Sequence, residues 1–145
     1  MTATARELLE LVIGQVWGLG RTEILPELYA PDVVDHHPVP GQVPGIAGLT
    51  LAVETFHTAF PDLAMQLHGV VVDGDRAVDW WTLRGTHLGP LGALAATGRP
   101  VEFSGSDEVR VASGRIVEMW HVEDMLTLAQ QLTRCEPVAA LGAWA

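Results

Sequence analysis

The sequence predicts an α+β domain in which N-terminal helices pack on a strongly curved, mainly antiparallel sheet closed by a C-terminal helix. Apolar residues first recur at helical spacing, as in Leu8, Leu9, Val12, Ile13, Val16 and Trp17. From Leu63 the apolar period changes to two. Two glycine-bearing turns, Asp73-Gly74-Asp75 and Ser113-Gly114, then join alternating runs as hairpins. Helices followed by hairpins do not build a doubly wound parallel sheet. A sheet curled over its helices makes a cone-shaped barrel with an apolar pocket inside.

Each element follows in order. Gly18 and Gly20 end the first helix. Residues Thr22 to Tyr29 read as a short second helix with Thr22 as its N-cap, broken by Pro31-Asp32. His36 to Gly48 reads as a proline- and glycine-rich loop. A third helix carries Leu49, Val53, Phe56, Ala59 and Phe60 on one side and stops at Pro61-Asp62. Strands are expected over Leu63–Val72, Arg76–His87, Val101–Val111 and Ile116–Val122. Leu88 to Pro100 connects the second to the third, and Met125 to Leu132 forms the closing helix.

With 145 residues, nearly half of them apolar, the chain suits one core. Residues 1–135 are expected to form a single domain and 136–145 an Ala/Gly-rich tail. The formal charge of −10 argues against nucleic acid and against an anionic membrane surface. The single cysteine, Cys135, excludes an intrachain disulfide and a cysteine-based zinc site. No secretion signal or membrane-length apolar run is visible, so a cytoplasmic location is expected.

Candidate chemistry rests on carboxylates and aromatic residues in the strands. By alternation Asp124 shares a face with Ile116, Trp120 and Val122. An apolar, aromatic-lined wall would desolvate its carboxylate and raise its pKa towards the range of a general base. The alternative is that Asp124 caps the closing helix. Trp120 either stacks on a flat substrate or belongs to the core. Asp79, in Val78-Asp79-Trp80-Trp81, shares parity with Trp81, Leu83 and His87; it faces either the pocket or solvent. Asp107 shares parity with Phe103, Val109 and Val111, which makes it a second carboxylate for the same wall. Among the histidines, His36 and His87 are the better-placed acids, since each ends a strand-like run at a loop. Neither a metal-ligand spacing, a glycine-rich phosphate loop nor a nucleophile elbow occurs, so no metal or other cofactor is expected.

Several segments together resemble the SnoaL-like polyketide cyclases of the nuclear-transport-factor-2-like superfamily. They are Leu28-Tyr-Ala-Pro-Asp-Val-Val-Asp-His36, Ala59-Phe-Pro-Asp-Leu63, Asp73-Gly-Asp75 and Arg84-Gly-Thr-His-Leu-Gly89. Thr97-Gly-Arg-Pro-Val-Glu-Phe-Ser104, Gly114-Arg-Ile-Val-Glu-Met-Trp120, Asp124 and Gln130-Gln-Leu132 continue the family's order. The resemblance implies a cone-shaped barrel and an aldol ring closure without metal or organic cofactor. It implies Asp124 as the aspartate that removes a carbon-bound proton, with His87 and Asp107 on pocket-lining strands and His36 at the mouth. A small hydrophobic polycyclic substrate would lie among Trp17, Phe56, Phe60, Trp81 and Trp120, beside Asp79. A homodimer or homotetramer is expected through the outer sheet face. The chain departs from the family in carrying Asp79-Trp80-Trp81 where an arginine before one tryptophan is usual, Thr133 for a glycine, and His121 after Trp120. The fold also hosts other functions. An epoxide hydrolase or isomerase would draw on Asp79, Asp107, Asp124 and Arg110; a non-catalytic binding or oxygenase-accessory protein is the remaining alternative.

Overall fold

The computed structural model of the chain describes residues 2–133. Cys135 and the tail therefore lie outside the described residues. Helix α1 (Ala5–Leu11) opens with a capping box: Thr4 Oγ1 accepts from the Glu7 amide while the Glu7 carboxylate accepts from Thr4 N–H. The helix continues as a π-helical stretch over Val12–Trp17. The wider turn carries the apolar stripe onward, burying Val12, Ile13 and Val16 and leaving Trp17 half-buried.

The second predicted helix is only a 3₁₀ turn over Thr22–Ile24 followed by α2 (Leu25–Leu28), and Thr22 makes no side-chain cap bond. Tyr29, expected to end it, instead begins strand β1 (Tyr29–Asp35). Pro31 is tolerated there because β1 lies at the sheet edge, where a missing N–H breaks no ladder. The irregular register between Tyr29 and Val34 hides the strand's period from a sequence reading. Helix α3 (Gly45–Ala59) starts inside the expected loop, which therefore ends at Pro44.

Strands β2 (Ala64–Asp73), β3 (Arg76–Thr86), β4 (Pro100–Ala112) and β5 (Arg115–Glu123) follow, and α4 (Met125–Thr133) closes the chain. The five strands form one sheet in the order β1-β5-β4-β3-β2, antiparallel except that β1 runs parallel to β5. Ser113 and Gly114 both have positive φ, 51° and 74°, as a tight hairpin between β4 and β5 requires.

The concave face of the sheet meets the helices in two apolar clusters. One gathers α1, α3, β1 and the β5 residues Ile116 and Met119. The other gathers Phe60, Trp81, Leu83, Phe103 and Leu128. Trp17 and Leu67 pack against both. Among the described residues no helix is long and apolar enough to cross a membrane.

Candidate functional site

Three adjacent strands bring polar groups into this apolar interior. Alternation along β3 buries Ala77, Asp79, Trp81 and Leu83 and turns Val78 and Trp80 outward. Asp79 is 0% exposed, which resolves the two readings of this residue in favour of the inner face. Across the ladder, between the Val78–Glu108 and Trp81–Gly105 pairs, lies Asp107 of β4. Its backbone N–H donates to Asp79 Oδ1 at 2.9 Å. Asp79 Oδ2 is buried with no hydrogen-bond partner among the described residues.

An ionised carboxylate in that position costs several kcal/mol, so the group responds by holding its proton. Burial, then the neighbouring Asp107 charge, pushes the Asp79 pKa up to about 7. Burial likewise raises Asp107 to about 6, opposed by its bond from Trp81 and by the His121 charge. The Asp107 charge opposes ionisation of Asp79, so the titrations of the two carboxyls are linked.

Trp81 joins this pair to the aromatic wall. Its indole N–H donates to Asp107 Oδ2 at 2.8 Å, while its ring meets Phe103 edge-on at 6.0 Å. Gly105 makes the arrangement possible, because a Cβ there would lie 2.3 Å from the Trp81 ring. Phe103 leads to Phe56 at 6.5 Å, and Phe56 to Trp17 at 5.8 Å and Phe60 at 6.0 Å. Four of the predicted aromatic contacts, Trp17, Phe56, Phe60 and Trp81, thus form one continuous wall. Trp17 and Phe56 keep partial exposure, whereas Phe60 and Trp81 are buried.

The opposite side of the pair is polar. His121 of β5 is Asp107's ladder partner. Its Nδ1 lies 2.7 Å from Glu123 Oε1, and its Nε2 lies 3.2 Å from each oxygen of Asp35 on β1. The bond to Glu123 does most to raise the His121 pKa to about 9, despite burial. Asp35 is itself held by the His37 amide and Gln42 Nε2, both at 2.9 Å. The loop from His36 to Pro44 therefore folds over this corner. The Tyr29 phenol is buried beside the group; burial and the Asp107, Asp79 and Asp35 charges keep it protonated.

His121 and Glu123 were not legible as site residues because a register shift lies between Arg110 and Val111 in the β4–β5 ladder, and Tyr29 and Asp35 because they lie on β1, whose own irregular register hides its period. An extra residue on β5 reverses the parity beyond it. Ile116 points inward, yet Met119, His121 and Glu123 are the inward residues thereafter, and Trp120 and Val122 point out. Counting from Met119 instead of Ile116 finds His121 and Glu123.

The same shift turns Trp120 away from the pocket. Trp120 stacks on His36 with ring centroids 4.4 Å apart and planes at 5°, on the outer face. Arg76 lies over the Trp120 ring at 4.9 Å, and His36 Nε2 meets Glu118 at 3.2 Å. Trp120 therefore does not join the inner wall, and His36, expected at the mouth, stacks on the Trp120 ring on the outer face.

Asp124 is exposed and caps α4. Its oxygens accept from the Thr127 amide at 3.0 Å and hydroxyl at 2.7 Å, and these bonds lower its pKa. The expected desolvation is absent because the residue sits just past the end of β5, on the outer side. It borders an open groove of about 540 Å³ that Trp80, Trp81, Ser104, Gly105, Val122 and Glu123 also line. His87 is buried at the far end of β3, 5.6 Å from the Phe60 ring, with Nδ1 accepting from the Thr97 amide at 3.2 Å. It lies eight residue steps from Asp79 along an extended run, roughly 26 Å at the usual rise per residue. Among the described residues no group of three or more His, Cys, Asp or Glu is arranged to hold a metal ion.

Comparison with known proteins agrees with this architecture. The chain is similar to TsrD from Streptomyces laurentii, with 26% identity, 90% of this chain and 95% of that chain covered, and a TM-score of 0.81. It is similar to IdmH from Streptomyces antibioticus, described as a candidate polyketide cyclase (30% identity, 90% and 99% covered, TM-score 0.76). AclR from Streptomyces galilaeus, described as a candidate hydroxylase, is similar at 25% identity (90% and 96% covered, TM-score 0.77). No curated protein matches the chain. The family model for SnoaL-like polyketide cyclases matches residues 7–132, nearly the whole described chain, and the protein belongs to that family.

Proposed function

We propose that the protein closes a ring in a small, neutral polyketide-type carbonyl compound by intramolecular aldol addition, without metal or organic cofactor. The observation that carries this reading is the Asp79–Asp107 pair at one end of an aromatic wall, Asp79 fully buried with one carboxylate oxygen unpartnered among the described residues and Asp107 partly exposed beside it. A base with a pKa near 6 to 7 is ionised often enough at neutral pH to act, yet basic enough to remove a carbon-bound proton. The wall from Trp17 to Trp81 would hold a flat substrate with its two reacting carbons together, which supplies much of the acceleration of an intramolecular step. Surplus negative charge around the pair favours a neutral ester or ketone over a free acid.

This reading moves the base from Asp124 to the pair, and leaves His87 and the His36–Trp120 stack outside the chemistry. An epoxide hydrolase would need an arginine to assist the carboxylates. Arg110 instead lies towards the outer side of β4, bonded to Glu118. A cytoplasmic homo-oligomer remains part of the proposal, with a second copy covering the outer face where Val71, Trp80 and Val122 are exposed.

Incubation with the aryl 1,5-diketone 1-phenyl-1,5-hexanedione, against styrene oxide, tests the reaction class. Ring closure of the diketone that falls at least about a hundred-fold in Asp107→Asn supports the reading. Hydration of the epoxide with no closure of the diketone overturns it.

A further inference from the structure

Resting on the aldol reading above, we infer that His121 is a catalytic acid that donates through Nε2 to the carbonyl oxygen gaining charge during ring closure, with Glu123 as its positioning residue. Nothing in the resemblance assigned this histidine a role.

The geometry separates the two ring nitrogens. Nδ1 is committed at 2.7 Å to Glu123, which lies two residues on along β5 and on the same face. Nε2 meets Asp35 only through a symmetric pair of 3.2 Å contacts, at the long limit for a nitrogen–oxygen hydrogen bond. Asp35 cannot follow the ring closely, because the His37 amide and Gln42 Nε2 hold its two oxygens from the other side. The alkoxide developing within hydrogen-bond reach of Nε2 would be more basic than the Asp35 carboxylate and would draw the proton from that nitrogen. The Nε2 proton is thus available while the ring orientation stays fixed.

The position suits the chemistry as well. His121 is Asp107's neighbour across the β4–β5 ladder and projects from the same face, so base and acid would address one substrate side by side. The groups around it are Asp35 from β1, Asp107 from β4, Glu123 from its own strand and His37 from the loop, whose ring lies 6.3 Å away. Three of the four are carboxyls. The bond to Glu123 first, then the Glu123 and Asp35 charges, keep the imidazole protonated at neutral pH, a donor rather than a base.

The step balances. The carboxylate takes the carbon-bound proton, and that C–H pair becomes the enolate. The enolate carbon attacks the second carbonyl carbon; a C–C bond forms as the C=O π pair moves to oxygen. That oxygen takes the Nε2 proton. The carboxyl pair ends with one more proton and His121 with one fewer, and exchange with solvent restores both. The product is an isomer of the substrate.

Two measurements test the assignment. With 1-phenyl-1,5-hexanedione, His121→Gln should lower kcat at least ten-fold with little change in KM. It should also remove the alkaline fall in rate near pH 9 while leaving the acid limb in place. Glu123→Gln should shift the alkaline limb to lower pH and keep activity below it. Parent kcat with both limbs intact in His121→Gln overturns the inference. Independent of turnover, 2-naphthol, whose hydroxyl stands in for the aldol oxygen, should bind the parent about ten-fold more tightly than His121→Gln. Equal binding, or none by the parent, overturns the assignment of His121 even where the diketone is turned over. Conversely, an Asp107→Asn variant with full activity defeats the aldol base while leaving the naphthol result intact.

Discussion

Trp81 donates its indole N–H to Asp107 at 2.8 Å, and through that bond the aromatic wall and the carboxyl pair become one site. The bond favours the ionised form of Asp107 against the burial that opposes it. Trp81→Phe keeps the ring and removes the donor. The Asp107 pKa should then rise further, and the acid limb of the pH–rate profile should move to higher pH. An unmoved limb would mean that Asp107 does not govern the rate.

Gly105 controls the same bond from across the strand. A Cβ at this position would meet Trp81 at 2.3 Å, against a large ring and not a flexible chain end. Gly105→Ala should displace the indole, lower Tm and shift the acid limb in the direction of Trp81→Phe. Parent-like Tm and pH profile would show that the ring has room to spare.

Asp79→Asn tests the electrostatic cost of the pair. Asp79 has a folded-state pKa of about 7, above the ordinary carboxyl value of 3.8. The native state therefore binds more protons between those limits, and its stability falls as pH rises through them. The neutral amide avoids this loss. The variant should melt higher than the parent above pH 7, with the gain vanishing near pH 4, while ring closure is lost. A gain independent of pH, or no gain at all, would place the parent's Asp79 outside the titration.

Asp124→Ala should lower Tm by removing both bonds to Thr127, and Asp124→Asn should recover part of the cap. Ring closure should continue in both. The cap also weakens as pH falls through the ordinary carboxyl range, because the ionised form makes those bonds. Loss of turnover in a folded Asp124→Asn would return this residue to the chemistry.

Much of the fold was legible because helical and strand periods are local properties. The helix over Gly45–Ala59, both hairpins and the closing helix sit within a few residues of where period and turn chemistry put them. Strand β1 was not, since its pairing is long-range and its pattern is broken by Pro31 and a register shift. The site divides in the same way. Alternation along β3 and β4 groups Asp79 with Trp81 and Asp107 with Phe103, but it left open whether Asp79 faces the pocket or solvent, which only the packing of β3 decides. Asp124, Trp120 and the unseen His121 all lie beyond the β4–β5 irregularity, where one added residue exchanges inside for outside. Asp35 could not be placed without β1.

The proposed mechanism requires two carboxyls that titrate far above the ordinary range, and ¹³C NMR of the side-chain carboxyls between pH 3 and 9 reads this directly. Asp79 and Asp107 should titrate between about pH 6 and 7, each moving when the other is replaced by Asn, while Asp124 titrates below 3.8. If Asp79 and Asp107 both titrate near pH 4 and independently of one another, the pair is not a poised base and the proposed mechanism fails.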